Sequence, residues 1–256
     1  MTVDRPDTSG ERVERFRAAT AGAEIEEFLS AAVLEFRGRL LFATSLGAED
    51  QVLTHLLSRL APEIFIITLD TGRLPQETYD LIDETRLSLG VEIEVLFPHT
   101  ASVETLVRAH GVNLFYESIE KRKACCFARK VEPLRRKLAG FDAWMTGMRR
   151  DQSPTRSEVE RIEVDPANGM VKLNPLVEWS RERVWSYLRA EGVPYNRLHD
   201  RGFPSIGCLP CTRAVAPGED ERAGRWWWER PEQKECGIHI VDGKVVRAGV
   251  TEKQNG

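Results

Sequence analysis

Two strand-turn-helix units occur in succession near the start of the sequence, and this alternation restricts the fold more than any other feature. The first consists of a short apolar run over residues 39–45, a turn at 46–48 and helical periodicity over 49–60. The second has a β-branched strand over 63–70 and a helix over 74–89. Strands that alternate with helices of this length predict parallel crossover connections, and therefore an α/β fold with a doubly wound, mainly parallel sheet.

The rest of the sequence continues this pattern and then loses it. Ligands bind at the carboxyl ends of parallel strands, so the turns at 45–50 and 70–73 are expected to face one crevice. From Asn196 onwards the periodicity fades, so this part is either mobile or held by something other than a hydrophobic core. The other predicted elements are a loose arm over 1–20, helices over 21–36, 102–110, 124–138 and 180–190, strands over 91–97 and 141–146, and a hairpin over 161–171.

Length and charge narrow the class of protein. The 256 residues allow one substantial core with appendages, and three parts are expected: an N-terminal arm and helix (1–37), a nucleotide-binding α/β domain (38–200) and a C-terminal segment (201–256). The net charge of −4 gives no general attraction to polyanions, which argues against nucleic acid as a partner. Neither a signal peptide nor an apolar run long enough to span a bilayer is found. A cytoplasmic protein without membrane association is therefore expected, and a homo-oligomer is left open.

Four of the five cysteines form two close pairs. Cys125 and Cys126 are adjacent, and Cys208 and Cys211 have the spacing that lets one turn present two sulfurs to a metal centre. Neighbouring side chains on a helix diverge by about 100°, which strains a site for one tetrahedral ion but suits the separate iron atoms of a cubane. The pattern therefore favours a [4Fe-4S] cluster over structural zinc, and the absence of any metal is the third alternative.

The fifth cysteine, Cys236, lies in a polar segment beside Lys234 and His239. No core pattern requires a sulfur at this position. Cationic neighbours stabilise a thiolate, so Cys236 is a candidate nucleophile. An inert cysteine is the alternative on this segment alone.

Two segments carry groups suited to anions. The turn over 44–50 places backbone N–H groups and a helix N-terminus beneath hydroxyl groups, although it lacks the Gly-Lys-Ser/Thr of a Walker loop. An ordinary strand-helix turn is the alternative there. Arginine side chains are planar forks that match phosphate and sulfate oxygens. Those at the strand end and near the cysteines are Arg149, Arg150, Arg156, Arg222 and Arg225. Any one of them, taken alone, is usually a solvated surface charge, and their concentration is the informative feature.

These features together resemble the assimilatory adenylyl-sulfate reductases, the cluster-containing branch of the family that also includes the 3′-phosphoadenylyl-sulfate reductases. The resemblance extends over residues 38–240. Its most specific marks are the two cysteine pairs, the segment over 234–239 and the loop over 149–153.

The resemblance implies a fold of the adenine-nucleotide α-hydrolase type and a role for each matching residue. Cys236 matches the catalytic cysteine, with Lys130 and His239 beside the substrate. Cys125, Cys126, Cys208 and Cys211 match the ligands of a [4Fe-4S] cluster. The implied substrate-binding residues are Thr44, Ser45, Leu46, Gly47, Glu49, Asp50, Asp70, Thr71, Gly72, Arg73, Leu74, Arg149, Arg150, Arg156, Arg222 and Arg225.

The same resemblance implies a reaction in assimilatory sulfate reduction and cysteine biosynthesis. The Cys236 thiolate attacks adenosine 5′-phosphosulfate, releases AMP and becomes an S-sulfocysteine, from which reduced thioredoxin releases sulfite. Reduction of the 3′-phosphorylated nucleotide is the nearest alternative. An ATP pyrophosphatase of the same fold is a second, although the turn lacks the Ser-Gly-Gly-x-Asp-Ser pattern of such enzymes. A zinc-stabilised binding module is the non-enzymatic alternative.

Overall fold

The computed structural model describes residues 10–153, 156–230, 240–241 and 244–245. The helices are α1 (Gly10–Ala19), α2 (Ile25–Glu35), α3 (Ala48–Leu60), α4 (Gln76–Leu89), α5 (Thr100–His110), α6 (Ile119–Cys126), α7 (Glu132–Leu138) and α8 (Arg181–Glu191). The strands are β1 (Leu40–Thr44), β2 (Phe65–Leu69), β3 (Glu94–Leu96), β4 (Ala143–Met145), β5 (Ile162–Asp165), β6 (Met170–Leu173), β7 (Ile240–Val241) and β8 (Lys244–Val245). None of the helices within these ranges combines the length and the apolar character needed to cross a membrane.

The main sheet has the strand order β3-β2-β1-β4-β6-β5. Its pairs are parallel except β5 with β6, which form the predicted antiparallel hairpin. β7 and β8 form a separate antiparallel pair. The predicted α/β fold with a mainly parallel sheet is therefore confirmed.

Helices cover both faces of the main sheet, because neighbouring residues of a strand point to opposite sides. Leu40 and Phe42 of β1 belong to the larger core, which includes buried residues of α2, α3 and α8. Leu41, the residue between them, packs on the other face with Trp144 of β4 and with buried leucines of α7. This arrangement confirms the doubly wound prediction.

The expectation of a loose arm over residues 1–20 is wrong for the part that the structure describes. Helix α1 occupies Gly10–Ala19 and buries Val13 and Phe16. The Phe16 ring lies 5.7 Å from that of Phe28 and 5.6 Å from that of Phe36. The many charges of this segment concealed an amphipathic helix that buries two apolar side chains.

The helix predicted over 124–138 starts earlier and contains a π-helical turn. Ser118 caps α6, and its side chain accepts a hydrogen bond from the Lys121 N–H at 3.2 Å. A π-helical turn over Phe127–Val131 joins α6 to α7. Such turns widen a helix locally and are frequent at functional sites. Here the turn directly follows Cys125 and Cys126.

The segment over 196–230 contains only short helical turns, yet it is packed against the rest of the molecule. Cys208, Cys211 and Trp226 form a small core with Leu114 and Phe115. The sequence left open whether this segment is mobile or held against the rest of the molecule. The structure shows that it is held.

Candidate active site

The candidate site is a cavity at the point where the strand order reverses. The chain runs from β1 outwards through β2 to β3, and then returns to place β4 on the other side of β1. Crevices of this kind bind ligands in open α/β sheets. Residues that follow β1, β2 and β4 line the cavity, among them Ser45, Thr71 and Thr146. The two turns predicted to face one crevice do so.

The turn over 44–50 is occupied by one of its own side chains. The Asp50 carboxylate accepts hydrogen bonds from the Ser45 N–H at 2.6 Å and from the Ser45 hydroxyl at 2.7 Å. The Leu46 N–H donates to Thr44 Oγ1 at 2.9 Å. The donors of Ser45 and Leu46, two of the residues that the sequence assigns to a bound anion, are thus used within the turn.

Asp50 is packed closely against the start of the β4 loop. A Cβ atom added to Gly147 would overlap Asp50 Oδ1 and would lie 3.1 Å from the Asp50 backbone nitrogen. Only glycine allows this approach. Burial raises the pKa of Asp50 to about 6, against the opposing effect of hydrogen bonds from Ser45 and Gly147.

Arg149 is completely buried and holds three carboxylates. Its Nε donates to Glu49 Oε1 at 2.7 Å, and its Nη2 lies 3.3 Å from Glu221 Oε2. Its Nη1 contacts Asp151. Glu49 and Glu221 line the cavity, whereas Asp151 does not. Burial, and then repulsion from Glu49, raise the pKa of Glu221 to about 7.

Four cationic side chains line the same cavity: Lys130, Arg156, Arg222 and Arg225. Lys130 and Arg225 are close enough to the cysteines to act electrostatically on Cys211. The Arg225 guanidinium passes directly over Gly207, where any side chain would overlap it. Cationic and acidic side chains therefore line the same cavity.

The structure separates the predicted substrate-binding residues into two groups. Arg149 lies behind the cavity wall, Arg150 bonds to the Val159 carbonyl at 2.9 Å, and Arg73 bonds to the Val112 carbonyl at 2.6 Å. Those that line the cavity are Thr44, Ser45, Gly47, Glu49, Asp50, Thr71, Leu74, Arg156, Arg222 and Arg225, with Lys130; those that do not are Leu46, Asp70, Gly72, Arg73, Arg149 and Arg150.

The four paired cysteines meet in the small core beside this cavity. All four are buried, none is in a disulfide, and they share one cluster. Thr71 Oγ1 lies 3.2 Å from Cys208 Sγ. Arg122 contacts Cys126, and Arg129 contacts Cys125. Within the described ranges no three ligand-type side chains converge as they would around one metal ion.

Burial makes two of these thiols, Cys125 and Cys211, weaker acids. It raises the pKa of Cys211 to about 12, together with repulsion from Cys208, and it also raises the pKa of Cys125. Cys208 and Cys211 are brought to Cys125 and Cys126 from a distant part of the chain. Thiolates are stabilised when they bind metal. Four such thiols in one small core, which do not converge as around one ion, are a donor set suited to a larger metal centre.

Trp226 belongs to both the cavity wall and the cysteine core. Its ring lies between the guanidinium groups of Arg122, 4.6 Å away, and Arg225, 4.5 Å away. Arg122 also donates to both oxygens of Glu229, at 2.9 and 2.7 Å. The buried Trp226 Nε1 has no hydrogen-bond partner in the described part of the chain.

Several cavity residues were not identified from the sequence. His199 lines the cavity, and both its ring nitrogens are buried without a partner among the described residues. Burial lowers the pKa of His199. Nothing in the local sequence around His199 or Glu221 marks them, because their neighbours in space come from distant segments. Other lining residues of this kind are Thr68, Thr78, Thr146, Gln152 and Ser205.

Two predicted catalytic residues, Cys236 and His239, lie outside the described residues. The segment that carries them follows Arg230 in the sequence. Arg222, Arg225 and Trp226, shortly before this point, line the cavity.

Comparison with known proteins places these features in context. Residues 39–214 match the family described as the phosphoadenosine phosphosulfate reductase domain. A protein named adenosine 5′-phosphosulfate reductase from Allochromatium vinosum is 54% identical over 200 residues, which cover 78% of each chain. One of the same name from Burkholderia cepacia is 52% identical over 221 residues, which cover 86% of this chain and 88% of the relative.

Solved structures with the same architecture include two fungal proteins. The phosphoadenylyl-sulfate reductase of Candida auris, in a phosphate complex, has a TM-score of 0.69 and 28% identity, and the match covers 81% of this chain and 98% of that one. The FMN adenylyltransferase of Candida glabrata, with FAD and pyrophosphate, has a TM-score of 0.53 and 18% identity, and the match covers 93% of this chain and 80% of that one. The second likeness concerns the fold alone.

Proposed function

This chain belongs to the phosphoadenosine phosphosulfate reductase family, and we propose that it reduces adenosine 5′-phosphosulfate to sulfite and AMP in sulfate assimilation. The fold of the adenine-nucleotide α-hydrolase type is confirmed by the sheet and by its structural relatives. The observation that carries the proposal is identity above 50% to two adenosine 5′-phosphosulfate reductases over most of the chain.

The charges of the cavity suggest how the substrate lies. Lys130 and Arg225 line it on the side of the cysteines, and with Arg222 they suit the phosphosulfate group. The nucleoside would then extend towards the strand ends and the turn over 44–50. Positioned cations offset charge that shifts onto the leaving phosphate during the reaction.

The chemical step is assigned to Cys236 on the basis of its sequence context. Its thiolate attacks the sulfur of adenosine 5′-phosphosulfate, the sulfur–oxygen bond to the phosphate breaks, and AMP leaves with the bonding electron pair. The product on the protein is an S-sulfocysteine. A thiolate of reduced thioredoxin then attacks the Cys236 sulfur and releases sulfite, and the second thioredoxin thiol resolves the mixed disulfide. Thioredoxin supplies both electrons and leaves as its disulfide.

We further propose that Cys125, Cys126, Cys208 and Cys211 hold a [4Fe-4S] cluster. Four buried thiols without disulfides fit this group. The buried N–H of the adjoining Trp226, which has no hydrogen-bond partner among the described residues, fits it as well. When bound, the cluster would link the two cysteine pairs and set the electrostatic environment at this end of the cavity. Cysteines that bind metal rather than form disulfides also suit a reducing compartment, so we assign the protein to the cytoplasm.

The first experiment is incubation of the purified protein with adenosine 5′-[35S]phosphosulfate, without reductant and without oxygen, followed by mapping of the label. Label on Cys236 that reduced thioredoxin releases as sulfite supports the substrate, the nucleophile and the order of steps. Stable label on another residue would refute the assignment of Cys236.

Two variants distinguish the role of the proposed nucleophile from the role of the proposed metal centre. Cys236→Ser is expected to form no sulfite and to retain its iron. Cys208→Ser is expected to lose both iron and activity. Sulfite formation by Cys236→Ser would refute the mechanism, and full activity in an iron-free Cys208→Ser protein would remove the cluster from it.

A further inference from the structure

His199 carries a polar ring whose two nitrogens are buried beside the cavity. The residue lines the cavity, and within the described ranges neither ring nitrogen has a hydrogen-bond partner. The Phe203 carbonyl is near enough to act on the pKa of His199, but it lacks the geometry of a hydrogen bond to the ring. Buried polar groups of folded proteins are almost always hydrogen-bonded. Two such nitrogens at a cavity therefore indicate a partner that enters the cavity.

The His199 ring is held in place by its surroundings. The Trp185 ring packs against it in a T-shaped arrangement, with 5.1 Å between the ring centroids. The His199 N–H donates to the Asn196 carbonyl at 3.0 Å. The Asn196 side chain in turn binds Thr78 Oγ1 and the Leu198 N–H, each at 3.0 Å. These contacts keep the ring at the cavity.

The charges around His199 suit an uncharged ligand group. Burial lowers the pKa of His199, against the opposing effect of Glu49, and the effects of Arg181 and Asp200 are smaller and opposite to each other. The imidazole is therefore neutral at pH 7.5, with one N–H donor and one acceptor nitrogen. Glu49 also lines the cavity, and its carboxylate repels a phosphate or sulfate group placed beside His199.

We propose that His199 is a binding and specificity-determining residue for the uncharged, nucleoside part of an adenine nucleotide. Hydroxyl groups of the sugar both donate and accept hydrogen bonds, and the base presents an amino donor beside acceptor nitrogens, so either can pair with a neutral imidazole. The anionic group of the nucleotide is left to Lys130, Arg222 and Arg225, which line the same cavity. A site built to hydrogen-bond one ligand group discriminates against ligands that lack this group.

This inference rests on the proposed function only in taking an adenine nucleotide as the ligand. It is tested first by 15N NMR of the histidine rings of the holoprotein, without oxygen at pH 7.5, with and without saturating AMP. The His199 signals are identified by their loss in His199→Phe. AMP is expected to shift them and to leave those of His55 in place, because His55 Nδ1 already bonds to the Tyr187 hydroxyl at 2.8 Å and does not line the cavity.

Calorimetry then measures the affinity of three variants for AMP. His199→Phe keeps an aromatic ring against Trp185 but has no polar atom, and it is expected to weaken AMP binding by about tenfold. His199→Gln keeps a donor and an acceptor and is expected to lose less than about threefold. It also identifies the NMR signals if His199→Phe fails to fold. His55→Phe is the matched control and should leave the affinity unchanged within about twofold.

Analogues of AMP identify the group that His199 binds. They lack the 2′-hydroxyl, the 3′-hydroxyl, the amino group or one ring nitrogen of the base. Removal of the group that pairs with His199 is expected to weaken binding to the wild type but not to His199→Phe, because the interaction is already absent from the variant.

Other outcomes decide against the inference. His199 signals that do not move with saturating AMP would refute it, as would equal losses of affinity in His199→Phe and His199→Gln, which would indicate packing alone. An equal shift with inorganic sulfate would overturn it and assign His199 to the anionic group. Analogue losses that are the same in the wild type and in His199→Phe would also refute it. Failure of AMP itself to bind would contradict the proposed function, and so is distinguishable from these results.

Discussion

Single residues determine the shape of the cavity where the backbone of one strand end approaches another. Gly147 follows β4 and lies against Asp50 at the start of α3. The contact joins the two sides of the point where the strand order reverses. A side chain at position 147 would push apart the two elements that form the floor of the cavity.

We expect Gly147→Ala to destabilise the protein by about 1–3 kcal/mol, since the new methyl group overlaps both the side chain and the backbone of Asp50. The measurement is the free energy of unfolding in urea. Gly140→Ala is the control, because its nearest neighbour outside the adjoining residues would lie 3.9 Å from the added carbon. Similar losses in both variants would contradict the packing argument.

The charge of Glu221 should make stability depend on pH. Its pKa is raised from 4.5 to about 7 in the folded protein, so the folded state keeps a proton that the unfolded state has released. Stability therefore falls as the pH rises through this window, by up to about 3 kcal/mol. Glu221→Gln removes this loss, so its advantage over the wild type should grow by about 1–3 kcal/mol between pH 5 and pH 8.

Urea unfolding at several pH values compares the two proteins. Asp151→Asn serves as the control, since it removes an exposed carboxylate from the same arginine. Parallel pH profiles for the wild type and Glu221→Gln would show that Glu221 does not titrate in this range.

At the scale of the elements, one buried ion pair attaches the last part of the described segment over 196–230 to α6. Arg122 of α6 is fully buried and binds both oxygens of Glu229. The same guanidinium stacks on Trp226. Trp226, which belongs to both the cavity wall and the cysteine core, is therefore held in place by α6, the helix that also carries Cys125 and Cys126.

Glu229→Gln is expected to destabilise the protein by about 3 kcal/mol, because it leaves the charge of Arg122 buried and incompletely paired. Glu117→Gln removes a surface ion pair with Lys121 of the same helix and should cost less than about 1 kcal/mol. Thermal unfolding without oxygen compares the variants. An equally small effect of both substitutions would mean that the buried pair does not hold this segment in place.

The sequence was sufficient to predict the alternating elements, because periodicity and turn residues are local signals. β1, α3, β2 and α4 were found close to their observed bounds. Local signals also misled: the charges of residues 10–19 masked a helix. The meeting of Glu49 and Glu221 could not be predicted, since both bind Arg149 and the three residues are distant in sequence. The turn over 44–50 was recognised, but its occupation by Asp50 depends on tertiary packing against Gly147.

The whole molecule combines two kinds of core. The sheet is covered by large apolar clusters on both faces, whereas seven buried residues of the described ranges form the cysteine core, and four of these are the cysteines. The sheet should therefore be stable without metal, and the segment over 196–230 should depend on whatever the cysteines bind.

Removal of the proposed cluster, by Cys208→Ser, should leave the strands β1, β2 and β4 protected against hydrogen exchange. Protection around residues 208–229 should fall by at least about tenfold, because metal binding contributes directly to local folding energy. Hydrogen exchange with mass spectrometry measures both regions, and Cys236→Ser is the control. Unchanged protection in an iron-free Cys208→Ser protein would mean that the small core is sufficient.

The separation of the two cysteine pairs along the chain has a consequence for biosynthesis. Cys125 and Cys126 precede β4, β5, β6 and α8, and Cys208 and Cys211 follow them. During translation the main sheet can therefore form on the ribosome while two of the four paired cysteines have not yet been made. Loading of the proposed cluster would then belong to the end of synthesis, and nascent chains that stop before position 211 should fold the sheet but remain unable to bind the cluster.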